Sequence, residues 1–240
     1  MNKRTQFSLY ATPPHECSYL SNRQATTIFI DPHFPKDSVL YETLSEHGFR
    51  RSGEHLYRPH CHHCNACIPV RIPVNSFTPR RSQRRVWQKN QDITVAATAS
   101  VFRREHFTLY CRYLAARHKG GGMDNPNPDS YMQFLTSNWS DTIFYEFRLN
   151  KQLFAIAVAD FFENGMSAVY TFFDPDCPAR SLGTQAILWE IEEAKRLQLD
   201  WLYLGYWVQE CQKMRYKIAY QPLEYYRQGI WRLYGSNLRE

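Results

Sequence analysis

The sequence predicts an α+β protein in two parts, divided near residue 100. Three observations predict it: apolar and alternating runs between residues 142 and 173, helical periods on either side of them, and a dense cysteine cluster near residue 60. In the first part, 1–100, Asp37-Ser38 precedes V-L-Y-E-T-L-S-E-H and Gly48 follows it, which makes a capped helix with a glycine stop. Phe49-Arg50-Arg51-Ser52-Gly53 then reads as a turn. In the second part, 101–240, a helix over 101–119 carries Phe107, Tyr110 and Leu114, until Gly120-Gly121-Gly122 and Asn125-Pro126-Asn127-Pro128 break it as a mobile loop. Asp129 is expected to cap a second helix running to about Trp139. Residues 142–149, 152–161 and 166–173 read as three antiparallel strands, 181–197 as a helix, 201–208 as a parallel return strand, and 218–233 as one or two further strands rich in Tyr and Trp. Meander, helix and parallel return strand together make an acetyltransferase-like (GNAT-like) pattern, preceded by a small mixed domain with a Cys-rich cluster.

Composition excludes several classes. A chain of 240 residues with 43% hydrophobic and 22% charged residues buries a full core and is neither disordered nor membrane-spanning. Residues 1–14 hold no apolar run of signal-peptide length, and no later segment reaches about 18 uninterrupted apolar residues, so a cytoplasmic protein is expected. Seven cysteines, an odd number, are unlike a secreted disulfide framework and suit a reducing compartment. The net charge of +6 favours a polyanionic partner. Between Arg71 and Asn90 there are six basic residues (Arg71, Arg80, Arg81, Arg84, Arg85, Lys89), no acid, and Phe77 and Trp87 interleaved. This is either a solvated face or a phosphate-contacting one.

Cys61-x2-Cys64-x2-Cys67, with Cys17 upstream and His60, His62 and His63 beside it, has ligands enough for a Zn site or an iron–sulfur cluster. It lacks the histidine and carboxylate set of a catalytic zinc hydrolase, so such a metal is structural or redox-active. Arg180-Ser181-Leu182-Gly183-Thr184 opens the helix at 181, where backbone N–H groups and the helix dipole suit a phosphate. No G-x-S-x-G elbow, H-E-x-x-H or Ser-His-Asp order is present, and no organic cofactor motif stands out.

The succession S-A-V-Y-T-F-F-D-P-D, R-S-L-G-T, W-L-Y-L-G-Y-W-V, C-Q-K-M-R-Y-K and Y-Q-P-L-E, with Cys17-x-Tyr19-Leu20, Gly48 to Gly53, Tyr57-Arg58-Pro59 and Cys67-Ile68-Pro69-Val70-Arg71, resembles the arginyltransferase-like aminoacyl-tRNA–protein transferases. The resemblance spans nearly the whole chain and is nearest to their bacterial branch, the aspartate/glutamate leucyltransferases. It implies transfer of leucine from leucyl-tRNA to the α-amine of proteins beginning with Asp or Glu, which marks them for N-end-rule degradation. Eukaryotic relatives carry a cysteine pair where this chain has Cys17 and Leu20, and are associated with metal or cluster binding.

Under that resemblance the reaction needs alignment of amine and ester, loss of one proton and donors for an oxyanion. Tyr170 and Tyr206 are candidates to flank the acyl group, against plain packing with a satisfied hydroxyl. Asp174 and Asp176 are candidate proton acceptors, against a D-P-D turn. Arg180, Gly183 and Thr184, with Arg84 and Arg85, are candidates for tRNA phosphates. Lys213, Arg215 and Lys217, on one side if extended, and Arg50 and Arg51 are candidates for the acidic acceptor residue. Cys17, Cys61, Cys64 and Cys67 are the candidate metal ligands. Arginine as donor, acetyl-CoA as donor (although the loop lacks the usual second glycine) and a metal-ribbon RNA-binding protein are the alternatives, in that order.

Overall fold

The computed structural model of the chain describes residues 7–117 and 125–235; the mobile loop expected at Gly120-Gly121-Gly122 lies outside them. The N-terminal part contains β1 (Leu9–Ala11), β2 (His15–Glu16), β3 (Gln24–Ala25), β4 (Thr27–Ile30), α1 (Ser38–Glu46), β5 (Arg50–Ser52) and β6 (His55–Pro59). Four of these strands form a sheet ordered β1-β4-β6-β5. Helix α1 starts as expected, with the Asp37 carboxylate accepting the Leu40 N–H at 2.8 Å, and Gly48 follows it at φ +82°. The expected turn at 49–53 is instead β5, because Arg50, Arg51 and Ser52 pair with Tyr57, Leu56 and His55 and the reversal falls at Gly53.

The remainder comprises β7 (Ile68–Pro73), α2 (Arg81–Lys89), β8 (Thr94–Ala99), α3 (Arg104–Arg117), α4 (Pro128–Leu135), β9 (Thr142–Leu149), β10 (Gln152–Phe161), β11 (Gly165–Phe173), α5 (Leu182–Arg196), β12 (Trp201–Trp207), β13 (Glu224–Arg227) and β14 (Ile230–Leu233). A mixed sheet of eight strands is ordered β14-β13-β7-β12-β11-β10-β9-β8. As expected, β9, β10 and β11 form an antiparallel meander and β12 returns parallel to β11 after α5. The sheet does not respect the division drawn near residue 100, since β7 sits between β12 and β13, and β8 pairs with β9. Helix α4 is capped by Asn127, not Asp129: Asn127 Oδ1 accepts from the Ser130 N–H at 2.8 Å, and Pro128 in the first turn forgoes an N–H that no helix would use.

Alternation in the central strands sends side chains to both faces. Ala155, Ala157 and Ala159 of β10 join Leu182, Ala186 and Ile191 of α5 in one core. Ile156 and Val158 join Leu109 and Leu114 of α3 and Leu135 of α4 in a second. A third core ties the N-terminal sheet to the large one, with Ile28, Ile30, Tyr41 and Leu56 packed with Phe162 and Tyr203. The two parts are therefore packed together around Arg51, whose guanidinium is wholly buried against Asp160 of β10 at 2.6 and 2.8 Å.

Candidate active site

The large sheet opens between two of its strands. Strands β11 and β12 pair only from Gly165–Trp201 to Ser167–Tyr203, although both run on, so they part beyond those residues. Each carries a break in register against its other neighbour at that point, near Val158/Ala159 for β11 and between Tyr203 and Gly205 for β12. Into the split comes Arg50 from β5, whose Nη2 donates to the Ala168 carbonyl at 3.0 Å. Gly205, at φ +76°, is the residue that leaves room: a Cβ there would overlap the Arg50 guanidinium. Arg50 is thus a bridge between the N-terminal sheet and the parting strands.

The candidate residues distribute unevenly around this split. Tyr170 of β11 packs its ring against Phe134, Tyr110 and Tyr113 and keeps a buried hydroxyl without a hydrogen-bond partner. Tyr206 is different: its hydroxyl donates to the carbonyls of Gly48 at 2.9 Å and Tyr57 at 3.3 Å, so it joins the two parts and is not free for an acyl group. Asp174 and Asp176 share Arg112 Nη2 at 2.8 and 2.7 Å, and Asp174 also accepts the Asp176 N–H at 3.0 Å. This is the D-P-D turn, with both carboxylates engaged by the Arg112 guanidinium.

Arg51 is removed from the acceptor set by its pair with Asp160, and by its further bond to the Leu135 carbonyl at 2.9 Å. Lys213, Arg215 and Lys217 do not share a side, because 212–219 is a 3₁₀ helix and not an extended segment. Lys213 and Arg215 face solvent, whereas Lys217 is buried and donates to the Tyr206 carbonyl. Burial, with the Arg50 guanidinium nearby, pulls the Lys217 ammonium down to about 7.

At the start of α5, Gly183 lies against the Phe173 ring, 3.0 Å from where a Cβ would stand, so a larger residue would crowd it. Arg180 is paired two-pronged with Asp92, at 2.8 Å twice, and pins the loop before α5 to the end of α2; the carboxylate neutralises the charge a phosphate would need. Of the basic run, Arg71 is buried between Trp201 and Trp231 and paired with Glu224 at 2.8 Å, a structural position. Arg84 and Arg85 stay exposed on α2.

One buried residue of α5 escapes sequence reasoning. Glu190 of α5 is wholly buried, both carboxylate oxygens lack a partner, and burial pushes its carboxyl up to about 8. Its only sequence signal is a charge at an inward helical position, beside Ala186, Ile187, Ile191 and Ala194. The folded chain therefore holds a proton that the unfolded chain releases at the ordinary value of 4.5. Stability falls as pH rises through that interval, by about 1.4 kcal/mol per pH unit from this group. Lys217, lowered from 10.5, acts with opposite sign and only above about pH 7. Glu190→Gln is expected to remove the falling slope between about pH 5 and 7, read as urea midpoints of variant against parent; identical slopes would contradict the burial argument.

A hollow of about 420 Å³ lies on the N-terminal side of the split and is walled in part by Cys17, Cys61, Cys64 and Cys67. Sequence reasoning found the thiols but not the hollow. The thiols share a wall and lie near Cys67, while among the described residues no three or more His, Cys, Asp or Glu side chains are placed to hold a metal ion. Cys61 instead lies against the backbone of Thr26, with N–H to sulfur at 3.5 Å. Burial and its neighbouring thiols push Cys67 up to about 12. A Zn or iron–sulfur site at Cys17, Cys61, Cys64 and Cys67 stays a proposal, and no reaction step is assigned to it.

Comparison with known proteins agrees over both halves. Residues 15–85 match the family model described as Arginine-tRNA-protein transferase, N terminus, and residues 105–227 the one described as Arginine-tRNA-protein transferase, C terminus. A relative from Pseudomonas entomophila, named aspartate/glutamate leucyltransferase, is 53% identical over 93% of this chain and 95% of its own length. One of the same name from Alcanivorax borkumensis is 51% identical over 97% and 96%. Among solved structures, L-PGS from Bacillus licheniformis superposes with a TM-score of 0.46 at 12% identity, over 72% of this chain and 50% of that one. Matched in both halves and aligned with its relatives over nearly their whole length, the chain belongs to the arginine-tRNA-protein transferase family.

Proposed function

We infer that this chain is an aminoacyltransferase that moves leucine from leucyl-tRNA to the N-terminal α-amine of proteins beginning with Asp or Glu. The observation that carries this is identity of 51–53% over 93–97% of the chain to relatives of that name. In the reaction the amine nitrogen attacks the ester carbonyl carbon and the bond to the ribose oxygen breaks. The proton lost by nitrogen ends on that oxygen. The ester is already activated, so catalysis reduces to alignment and oxyanion stabilisation.

The split between β11 and β12 supports this reading, with antiparallel strands, helix and parallel return strand in acetyltransferase-like (GNAT-like) order. Tyr170, whose buried hydroxyl has no hydrogen-bond partner among the described residues, is our candidate donor to the acyl group. Gly183 opens α5 and offers a first-turn N–H for a tRNA 3′ phosphate, whereas the Thr184 N–H is already given to the Ser181 carbonyl at 2.9 Å. Exposed Lys213 and Arg215 are candidates to meet an acidic acceptor chain. Among the described residues no helix is long and apolar enough to cross a membrane; we place the enzyme in the cytoplasm, its products feeding N-end-rule degradation.

Arg84 and Arg85 are read as phosphate contacts. Replacing both with alanine is expected to weaken tRNA binding whatever the sequence and to lower the salt slope by about 2, or about 1 per contact. An unchanged slope returns α2 to a solvated face. Donor choice tests the reading itself: leucyl-tRNA should support transfer to an Asp peptide, and arginyl-tRNA or acetyl-CoA should not. Preference for arginyl-tRNA would reverse the assignment within the family.

A further inference from the structure

The 420 Å³ hollow has a charge pattern that its cysteines do not explain. Three arginines, Arg23, Arg58 and Arg227, line it, and none of its lining residues is Asp or Glu. Among the described residues none of the three is in an ion pair. Arg58 is the one held in place: it is partly buried on β6, gives one bond to the His47 carbonyl at 3.1 Å and lies 5.0 Å over the Phe49 ring. Its other N–H donors have no protein acceptor. Arg23 and Arg227 are exposed at the rim.

Arginines without an ion pair that line a hollow with no counter-charge select an anion, and a carboxylate is the geometric match for their fork. The volume suits one or two residues of a peptide. The hollow also adjoins the split, because Tyr57, which lines it, gives its carbonyl to the Tyr206 hydroxyl at 3.3 Å. A ligand seated there is one strand away from the place where β11 and β12 part.

We propose that this hollow is the acceptor site, with Arg58, assisted by Arg23 and Arg227, binding the acidic side chain of the acceptor's first residue. The proposal rests on the leucyltransferase reading and names the residues that set its specificity. It also bears on the nucleophile: the hollow offers no carboxylate to hold the α-amine as ammonium. An amine with an unperturbed value of about 7.7–8.0 next to guanidiniums shifts toward its neutral, reactive form. No dedicated base is then needed, which agrees with Asp174 and Asp176 being engaged elsewhere.

The test measures kcat/KM of the full-length protein with leucyl-tRNA and peptides beginning Asp, Glu, Asn or Gln. Arg58→Gln is expected to lower the values for Asp and Glu about 10- to 100-fold, the loss of one charge-assisted contact. The loss should fall mainly in peptide KM, with the Asn and Gln values and the KM for leucyl-tRNA unchanged. If thermal unfolding shows that Arg58→Gln is not folded, the double variant Arg23→Ala/Arg227→Ala, at exposed positions, carries the test with the same pattern. Equal losses for Asp and Asn peptides overturn the proposal, as does a raised KM for leucyl-tRNA, which would assign the arginines to phosphate. A parent enzyme that leucylates none of the four peptides overturns the leucyltransferase reading itself; an active parent with unaltered variants overturns only the acceptor site.

Discussion

Arg51→Ala is expected to cost about 3–5 kcal/mol of stability, among the largest losses any single substitution in this chain should produce. Both side chains of the Arg51–Asp160 pair have 0% exposure. Removing the guanidinium leaves a carboxylate whose remaining side-chain donors, among the described residues, are the Thr142 and Ser140 hydroxyls. The same guanidinium also satisfies the Leu135 carbonyl at the end of α4, so three elements loosen together. Arg51→Met/Asp160→Leu should lose much less, because no buried charge is orphaned. Urea unfolding of the two variants checks both statements. A loss below about 1 kcal/mol for Arg51→Ala would show that Asp160 does not depend on its partner.

Gly205→Ala is expected to reduce transfer about 100-fold while leaving tRNA affinity intact. The new methyl would occupy the space of the Arg50 guanidinium, and the left-handed backbone at φ +76° adds strain for any side chain. Arg50 would have to leave the carbonyls of β11, and the split it occupies would close or shift. A displacement of about 1 Å between amine and ester suffices for a loss of that size. Single-turnover rates with preformed leucyl-tRNA complexes separate this from binding. An unaltered rate would mean that the geometry at Arg50 is irrelevant to transfer.

The meander at 142–173 was legible because its residues obey the strand period and lie in one uninterrupted stretch. Where a residue's fate depends on a distant partner, local pattern failed. Arg50 and Arg51 are neighbours that look equivalent, yet strand alternation sends one to the split and the other to Asp160, a carboxylate 109 positions away. The turn expected at 49–53 became a strand because its pairing partners follow the reversal. The alternation of Lys213, Arg215 and Lys217 had meaning only for an extended chain, and the 3₁₀ helix dissolves it. Tyr206 and Asp174 illustrate the opposite case: the plainer reading, a satisfied hydroxyl and a polar turn, was visible beside the catalytic one, and it is the plainer one that the contacts support. The acid-free hollow was out of reach, because Arg23, Arg58 and Arg227 come from three separate stretches.

The direct test of the central claim is mass spectrometry of peptides incubated with the purified protein and leucyl-tRNA. A gain of one leucyl residue at the N-terminus of peptides beginning Asp or Glu, and none on peptides beginning Lys or Ala, is the predicted result. Absence of that gain on the acidic peptides, or equal modification of all four, would contradict it.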